Sequence, residues 1–231
     1  MTIVKESKRL FYGKWLYKIS LKIFGVGVIR HKGMGVGLLD YLTPSPIDND
    51  VDSSYRPHTL RNRAMRSKQE LTGLSLLLSQ YDKSTFQYRI EGDTFDVYTN
   101  DTDLIKHIEM EFEHCVRLRE EPKPENIELL TSGDNHIIVV DKYPHDVYQY
   151  RVDLKPHAIS DVDKKQKFVE WCETQKNRIK ISDSIADWFI KTEMNWDRRY
   201  VLVEDSNTLL LMKLHTPDAV GTVYKYVISD K

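Results

Sequence analysis

Cysteine is scarce in this sequence, and its scarcity restricts both the compartment and the way the fold is held together. The chain of 231 residues contains two cysteines, Cys115 and Cys172. Two are too few for the disulfide framework of a small secreted protein. Both lie in segments whose patterns predict helices, so we expect reduced, partly buried thiols in an intracellular protein.

Long apolar runs are also missing. No stretch approaches the roughly 18 consecutive apolar residues that a membrane-spanning helix needs. Residues 1–15 carry charges throughout and contain neither an apolar core nor a small-residue cleavage site, which argues against a secretory signal. We therefore expect a soluble protein of the cytoplasm or nucleus, with no membrane partner.

The chain has no excess of positive charge, since 34 lysines and arginines face 35 aspartates and glutamates for a net charge of −1. Proteins that coat nucleic acid carry a global excess of lysine and arginine. Any site for a polyanion must therefore be a local patch. The length and the 40% of hydrophobic residues are those of a globular protein, and we expect one compact domain over residues 1–231.

Sequence motifs of the common enzyme and cofactor classes are missing too. The chain has no C-x-x-C, H-E-x-x-H or G-x-S-x-G, and the five glycines of residues 25–37 follow neither the P-loop nor the G-x-G-x-x-G spacing. His107 and His114 would lie about 10.5 Å apart along a helix axis, too far to bind one zinc ion together. We expect no metal and no cofactor. This motif-poor character is compatible with a protein of a virus or mobile element.

Local patterns predict an α+β fold. Residues 14–24 alternate between apolar and polar side chains, which is typical of a half-buried strand. Residues 25–58 show no periodicity and predict a long loop, whereas helical spacing of apolar residues begins at Leu60. The further predicted elements are a hairpin turning at 91–93, a helix that Asp101 or Thr102 caps and that runs to about 121, a hairpin turning near Tyr143 and Pro144, helices over 162–178 and 182–191, and two or three antiparallel strands from residue 198 onward.

Helices interleaved with hairpins favour mainly antiparallel sheets, with four to five helices packed on one face. They disfavour a doubly wound parallel sheet, in which single strands and helices alternate strictly.

A short basic stretch interrupts the overall charge balance. Residues 56–68 contain five cations, which are Arg56, Arg61, Arg63, Arg66 and Lys68. Several of them fall in the first turns of the predicted helix, where the positive end of the helix dipole disfavours cations by about 0.3–1 kcal/mol each. The arrangement is favourable if an anion lies against that end, either an acidic patch of the same fold or a phosphate backbone.

A second row of cations lies on the predicted strands. Lys14, Lys18 and Lys22 occupy the polar positions of the first strand, and two later strands place Arg89 and Arg151 in equivalent positions, with Lys155 at the end of the second. If these strands share one sheet, they form a basic surface with tyrosines at its margins as stacking groups. Lysine also protects exposed sheets from aggregation, which is the structural alternative. An aromatic and arginine cluster around Trp196 and Arg199 is either a further stacking platform or core packing.

These features predict a nucleic-acid-associated protein that binds single-stranded RNA or DNA, or phosphate backbone, without catalysis. One alternative is a magnesium-dependent nuclease, because Asp153-Leu154-Lys155 has the D-x-K form. A hairpin turning at Tyr143 would place Asp134 opposite Asp153 as the second carboxylate. The other alternative is a non-catalytic assembly protein that self-associates or binds a protein partner.

Overall fold

The computed structural model describes residues 2–24, 26, 58–133, 136–191 and 199–229, with the side chains of the first long helix described from residue 69 onward. The chain divides into two compact units. Unit 1 comprises Met1–Ser7 and Lys14–Lys123, and unit 2 comprises Lys8–Gly13 and Pro124–Lys231. Each unit has its own sheet, and the expectation of a single domain stays a prediction. Most of the predicted loop at 25–58 lies outside the described residues.

Unit 1 is built on a five-stranded sheet with the order β1-β5-β2-β4-β3. Strands β1 and β5 are parallel, and the other neighbours are antiparallel. Two helices of this unit contribute to its core. Its elements are β1 (Ile3–Glu6), β2 (Tyr17–Lys22), α1 (His58–Ser79), β3 (Phe86–Glu91), β4 (Thr94–Thr99), α2 (Thr102–Phe112) and β5 (Val116–Glu121).

The core of unit 1 follows from the alternation read in the sequence. Ile19, Leu21 and Ile23 are buried as predicted, together with residues of α1 and α2. The hairpin between β3 and β4 is also confirmed, with Gly92 at φ 57° in its turn. A side chain in that backbone region is strained, so glycine suits the turn.

Unit 2 contains a second five-stranded sheet, with the order β6-β10-β7-β9-β8. Strands β6 and β10 are parallel, and the other neighbours are antiparallel. Its elements are α3 (Ile127–Thr131), β6 (Ile137–Val140), β7 (Tyr150–Leu154), α4 (Val162–Thr174), β8 (Ile179–Lys180), α5 (Asp183–Lys191), β9 (Tyr200–Val203), α6 (Ser206–His215) and β10 (Val220–Ile228).

The core of unit 2 lies between one face of this sheet and three helices. Val152 and Val201 pack from the strands against Phe168 of α4, Phe189 of α5 and Met212 of α6. The helices begin where the sequence places capping residues, since the Asp161 carboxylate accepts hydrogen bonds from the backbone at the start of α4. The opposite face of the sheet carries a separate, smaller cluster.

The predicted helix running to residue 121 is wrong in its second half. Helix α2 ends at Phe112, and the chain then forms β5, which pairs with β1 on one side and β2 on the other. Two flanking strands satisfy the backbone of β5, so tertiary pairing outweighs its helical pattern. On β5, Arg119 forms ion pairs with Glu109 of α2 and with Glu121 of its own strand.

Two strand predictions in unit 2 are also wrong. β6 and β7 do not form a hairpin, because β10 lies between them and pairs with both. The segment after β9 is the helix α6 and not a strand, because the Asp205 carboxylate caps it by accepting from the Thr208 backbone at 2.7 Å.

The mixed α+β class is confirmed in its coarse form. The described residues form ten strands and six α-helices, and each sheet contains one parallel pair. The sheets are therefore mixed and not built from hairpins alone. Within the described part of the chain, no helix is long and apolar enough to cross a membrane.

Candidate nucleic-acid interface

The basic stretch coincides with the start of α1. The helix begins at His58, its first turn contains no acidic residue, and Arg61 closes that turn. Arg63, Arg66 and Lys68 follow in the next turns. The side chains of residues 58–68 and the whole of Arg56 lie outside the described part of the structure.

The lysines of the strand predicted at residues 14–24 do not form an open row of positive charge. Lys18 Nζ lies 3.5 Å from Asp96 Oδ2 and 3.6 Å from Glu120 Oε2, so two carboxylates balance it. Lys14 Nζ lies 4.0 Å from the centre of the Trp15 ring. Lys22 is exposed at the end of β2.

The assumption that the three cationic strands share one sheet is wrong. β2 and β3 belong to the sheet of unit 1, whereas β7, with Arg151, belongs to the sheet of unit 2. The proposed continuous basic surface across one sheet therefore does not exist among these strands.

The residues of the nuclease alternative are not brought together by strand pairing. The intervening β10 removes the direct pairing of β6 with β7 on which the approach of Asp134 to Asp153 depended, and Asp134 itself lies outside the described residues. Asp153 is buried and accepts a hydrogen bond from Arg151 Nε at 3.0 Å. Lys155 follows β7 and is exposed.

The structure groups aromatic and arginine side chains on the unit 2 sheet, which we call the Tyr–Arg face (Arg9, Arg151, Tyr200 and Tyr224). Because β7 lies between β10 and β9, Arg151 lies between Tyr224 and Tyr200. Its guanidinium carbon is 3.9 Å from the centre of the Tyr200 ring and 5.6 Å from that of Tyr224. Arg9 approaches the Tyr224 ring at 5.5 Å.

Strand alternation explains why these side chains share a face. Val152 and Val201 point into the helix-covered core, so their neighbours in β7 and β9 point to the other side of the sheet. Register places Arg151 beside Tyr224, and Asp153 beside Tyr200.

A small cluster of buried side chains lies beside these residues on the same face of the sheet, and Tyr224 packs against it. Tyr148, Leu202 and Tyr226 are buried there with Ile138, and burial raises the pKa of Tyr226. Tyr200 keeps 37% of its surface exposed. The Tyr–Arg face therefore combines tightly packed neighbours with an accessible aromatic ring, that of Tyr200.

The electrostatics of the Tyr–Arg face favour stacking over simple charge attraction. The ion pair with Asp153 balances the charge of Arg151 while its planar group stays against the rings. Arg9 is exposed and adds a cation at the edge. Aromatic rings and guanidinium planes of this kind are the groups on which unpaired bases stack.

The sequence pattern indicated Arg151 but not its partners. The alternation around Tyr224 and Tyr226 predicts a strand and places both tyrosines on one face of it. The alternation does not show which strand lies next to this one in the sheet. The aromatic and arginine cluster before β9 lies mostly outside the described residues. Its described member Arg199 lies over the Trp188 ring at 5.4 Å.

No family model, no curated protein and no solved structure matches this chain.

Proposed function

We propose that this protein binds single-stranded nucleic acid through the Tyr–Arg face. The observation that supports the proposal is the Arg151 guanidinium held between the rings of Tyr200 and Tyr224, on the face of the sheet opposite the core formed with α4, α5 and α6. Such a surface offers flat groups to bases that are not already paired.

Stacking favours single strands over duplexes because the faces of paired bases are covered by their neighbours in the helix. Stacking of one base on an aromatic side chain contributes about 1–3 kcal/mol and tolerates any base. The charge balance of Arg151 and Asp153 leaves the rings as the main source of affinity on this face. Weak sequence preference is the expected result.

The basic stretch at the start of α1 is a separate candidate contact with phosphate. It belongs to unit 1, whereas the Tyr–Arg face belongs to unit 2, and the two features are tested independently. An arginine that neutralises a phosphate releases counterions, so it changes the salt dependence of binding as well as the affinity.

The test of the Tyr–Arg face is binding of a labelled single-stranded oligonucleotide, followed by fluorescence anisotropy over a range of salt concentrations. We expect Tyr200→Leu to weaken binding by about 5-fold to 160-fold, which corresponds to the loss of one stacking group of about 1–3 kcal/mol. The salt slope should not change because no charge is removed. Tyr200→Phe is the matched control and should bind like the wild type. Equal affinity of Tyr200→Leu and the wild type would remove Tyr200 from the interface.

The basic stretch is tested by combining Arg61→Ala, Arg63→Ala and Arg66→Ala. If these arginines bind phosphates of a single strand, the logarithmic salt slope should become shallower by about 0.7 for each lost contact. Lys83→Ala, which removes an exposed lysine that belongs to neither predicted group of cations, is a control in the same unit and should leave the slope unchanged. An unchanged slope in the triple variant would exclude the stretch from the binding surface.

The two alternatives stay predictions with their own tests. Magnesium-dependent cleavage that survives Asp153→Ala would exclude the nuclease assignment. Light scattering that shows a monomer even at high concentration would count against an assembly protein.

A further inference from the structure

Three side chains with metal-binding atoms converge in unit 1, whereas the residues of the Tyr–Arg face belong to unit 2. They are Glu70 of α1, and His114 and Cys115 in the turn between α2 and β5. One ligand atom from each lies within 4.8 Å of the others. His114 Nε2 is 3.0 Å from Glu70 Oε1.

The fold fixes the positions of these residues by backbone bonds and core packing. The Cys115 backbone donates to the Phe112 carbonyl at 2.8 Å and accepts from the Lys22 backbone at 2.8 Å. On the facing helix, a β-carbon at Gly73 would lie 3.3 Å from the Phe112 ring. This close approach of α1 to the end of α2 brings Glu70 over the turn.

The exposure of the three side chains increases from Cys115 in the interior to His114 at the surface. Cys115 is 3% exposed, the Glu70 side chain is 13% exposed, and the His114 side chain is 49% exposed. An ion bound by the three would have a sulfur ligand from the core, while the imidazole side remains open to solvent. That opening is an entry path and leaves room for a water ligand.

We propose that Glu70, His114 and Cys115 bind a divalent transition metal ion, for which zinc has the best chemical fit. Zinc takes thiolate, imidazole and carboxylate ligands at about 2.0–2.3 Å, so ligand atoms of one ion lie about 3.5 Å apart. The cluster meets that spacing after side-chain movements on the order of 1 Å. Calcium and magnesium prefer sets made of oxygen only, so the thiol disfavours them.

The separation of the ligands explains why no metal was expected from the sequence. Glu70 lies 44 positions before His114, and motif spacings cover only ligands close in sequence. The expected failure of His107 and His114 to bind one ion together is compatible with the proposed site, because His107 contacts Tyr81 and Glu111 instead.

The test uses cobalt as a spectroscopic substitute for zinc. Full-length protein is freed of metal with a chelator and titrated with Co²⁺ while the thiolate-to-cobalt charge-transfer absorption is recorded. We expect the absorption to saturate at one Co²⁺ ion per chain and Zn²⁺ to displace the bound Co²⁺. Binding should also release protons because the ligands bind the ion in their deprotonated forms. Cys115→Ser should abolish the charge-transfer band. His114→Gln and Glu70→Gln should each weaken metal binding by at least about 10-fold. Loss of a group that only supports a ligand already costs about 10-fold to 100-fold in metal affinity, and these two residues would be ligands themselves.

Two matched controls come from the same chain. Cys172→Ser removes the other cysteine, and His107→Gln removes a histidine of α2 that does not belong to the cluster. Both variants should keep the band and the affinity of the wild type.

Absence of a charge-transfer band in the wild type, or unchanged affinity in both His114→Gln and Glu70→Gln, would overturn the proposal. Cys115 lies in the core, so Cys115→Ser can fail to fold. The decision then rests on His114→Gln and Glu70→Gln.

Discussion

Replacing Gly221 with alanine should force β10 away from β7 and disturb the Tyr–Arg face. A β-carbon at position 221 would lie 2.6 Å from the Asp153 carbonyl oxygen and 3.2 Å from its carbon. The obstructing atoms are backbone, so relief requires a shift of one strand by several tenths of an ångström. The register of these strands is already irregular between Val220 and Val223.

The expected cost follows from overpacking at a site that cannot relax by side-chain rotation. Such substitutions destabilise by about 1–3 kcal/mol. Each kcal/mol lowers the melting temperature by about 2–8 °C over the relevant range of domain sizes. Because Arg151 lies on β7 and Tyr224 on β10, separating these two strands should weaken oligonucleotide binding as well.

The assay is urea-induced unfolding of the full chain, with the midpoint as the readout and an unchanged m-value as the check on two-state behaviour. Gly73→Ala is the matched control. Its new β-carbon meets the Phe112 ring at 3.3 Å, and the ring can turn away. Alanine also favours the helix by about 1 kcal/mol over glycine. Gly73→Ala should therefore be neutral or stabilising. If Gly221→Ala is as stable as the wild type, the close contact inferred between β10 and β7 is wrong.

Two further predictions concern unit 2. Asp205→Ala should lower the free energy of unfolding by about 0.5–2 kcal/mol through loss of the cap of α6. Asp205→Ser should retain most of that stability because serine also caps helices. Both values are measured by urea unfolding at neutral pH. The hydrogen bond from the Thr208 backbone lowers the pKa of Asp205, so the cap stabilises the fold above its unfolded pKa of about 3.9. This contribution is lost as the pH falls through the folded value, and a difference between wild type and Asp205→Ala that persists in strong acid would contradict the assignment. Burial raises the pKa of Cys172 from 9.0 to about 12, so the native state disfavours the thiolate, and stability should fall between those pH values by up to about 1.4 kcal/mol per pH unit. Cys172→Ala should flatten the decrease measured between pH 9 and 10, and an equal slope in both proteins would refute this cause.

Local signals in the sequence predicted the elements that depend on local interactions. The alternation of Ile19, Leu21 and Ile23 predicted β2, the turn at Gly92 predicted the β3–β4 hairpin, and the cap at Asp101 predicted the start of α2. Each signal operates over a few residues, where hydrogen bonds and side-chain direction follow from adjacent positions.

Two of the errors arose where a distant strand determined the outcome. Residues 116–121 have a helical pattern and form β5, because β1 and β2 satisfy their backbone groups on both sides. The expected β6–β7 hairpin failed because β10, from the end of the chain, lies between the two strands. The helix α6 was a missed local signal, since Asp205 and Ser206 are typical capping residues.

The sequence by itself determined the α+β class, the alternating strands, the caps of α2 and α4 and the local concentration of cations at the start of α1. Only the tertiary structure decided which strands are neighbours, that Lys18 is balanced by Asp96 and Glu120, and that Arg151 lies between Tyr200 and Tyr224. The physical reason is that strand pairing joins backbone groups far apart in the chain. A strand pattern shows which side chains share a face of its own strand but not which strand lies beside it.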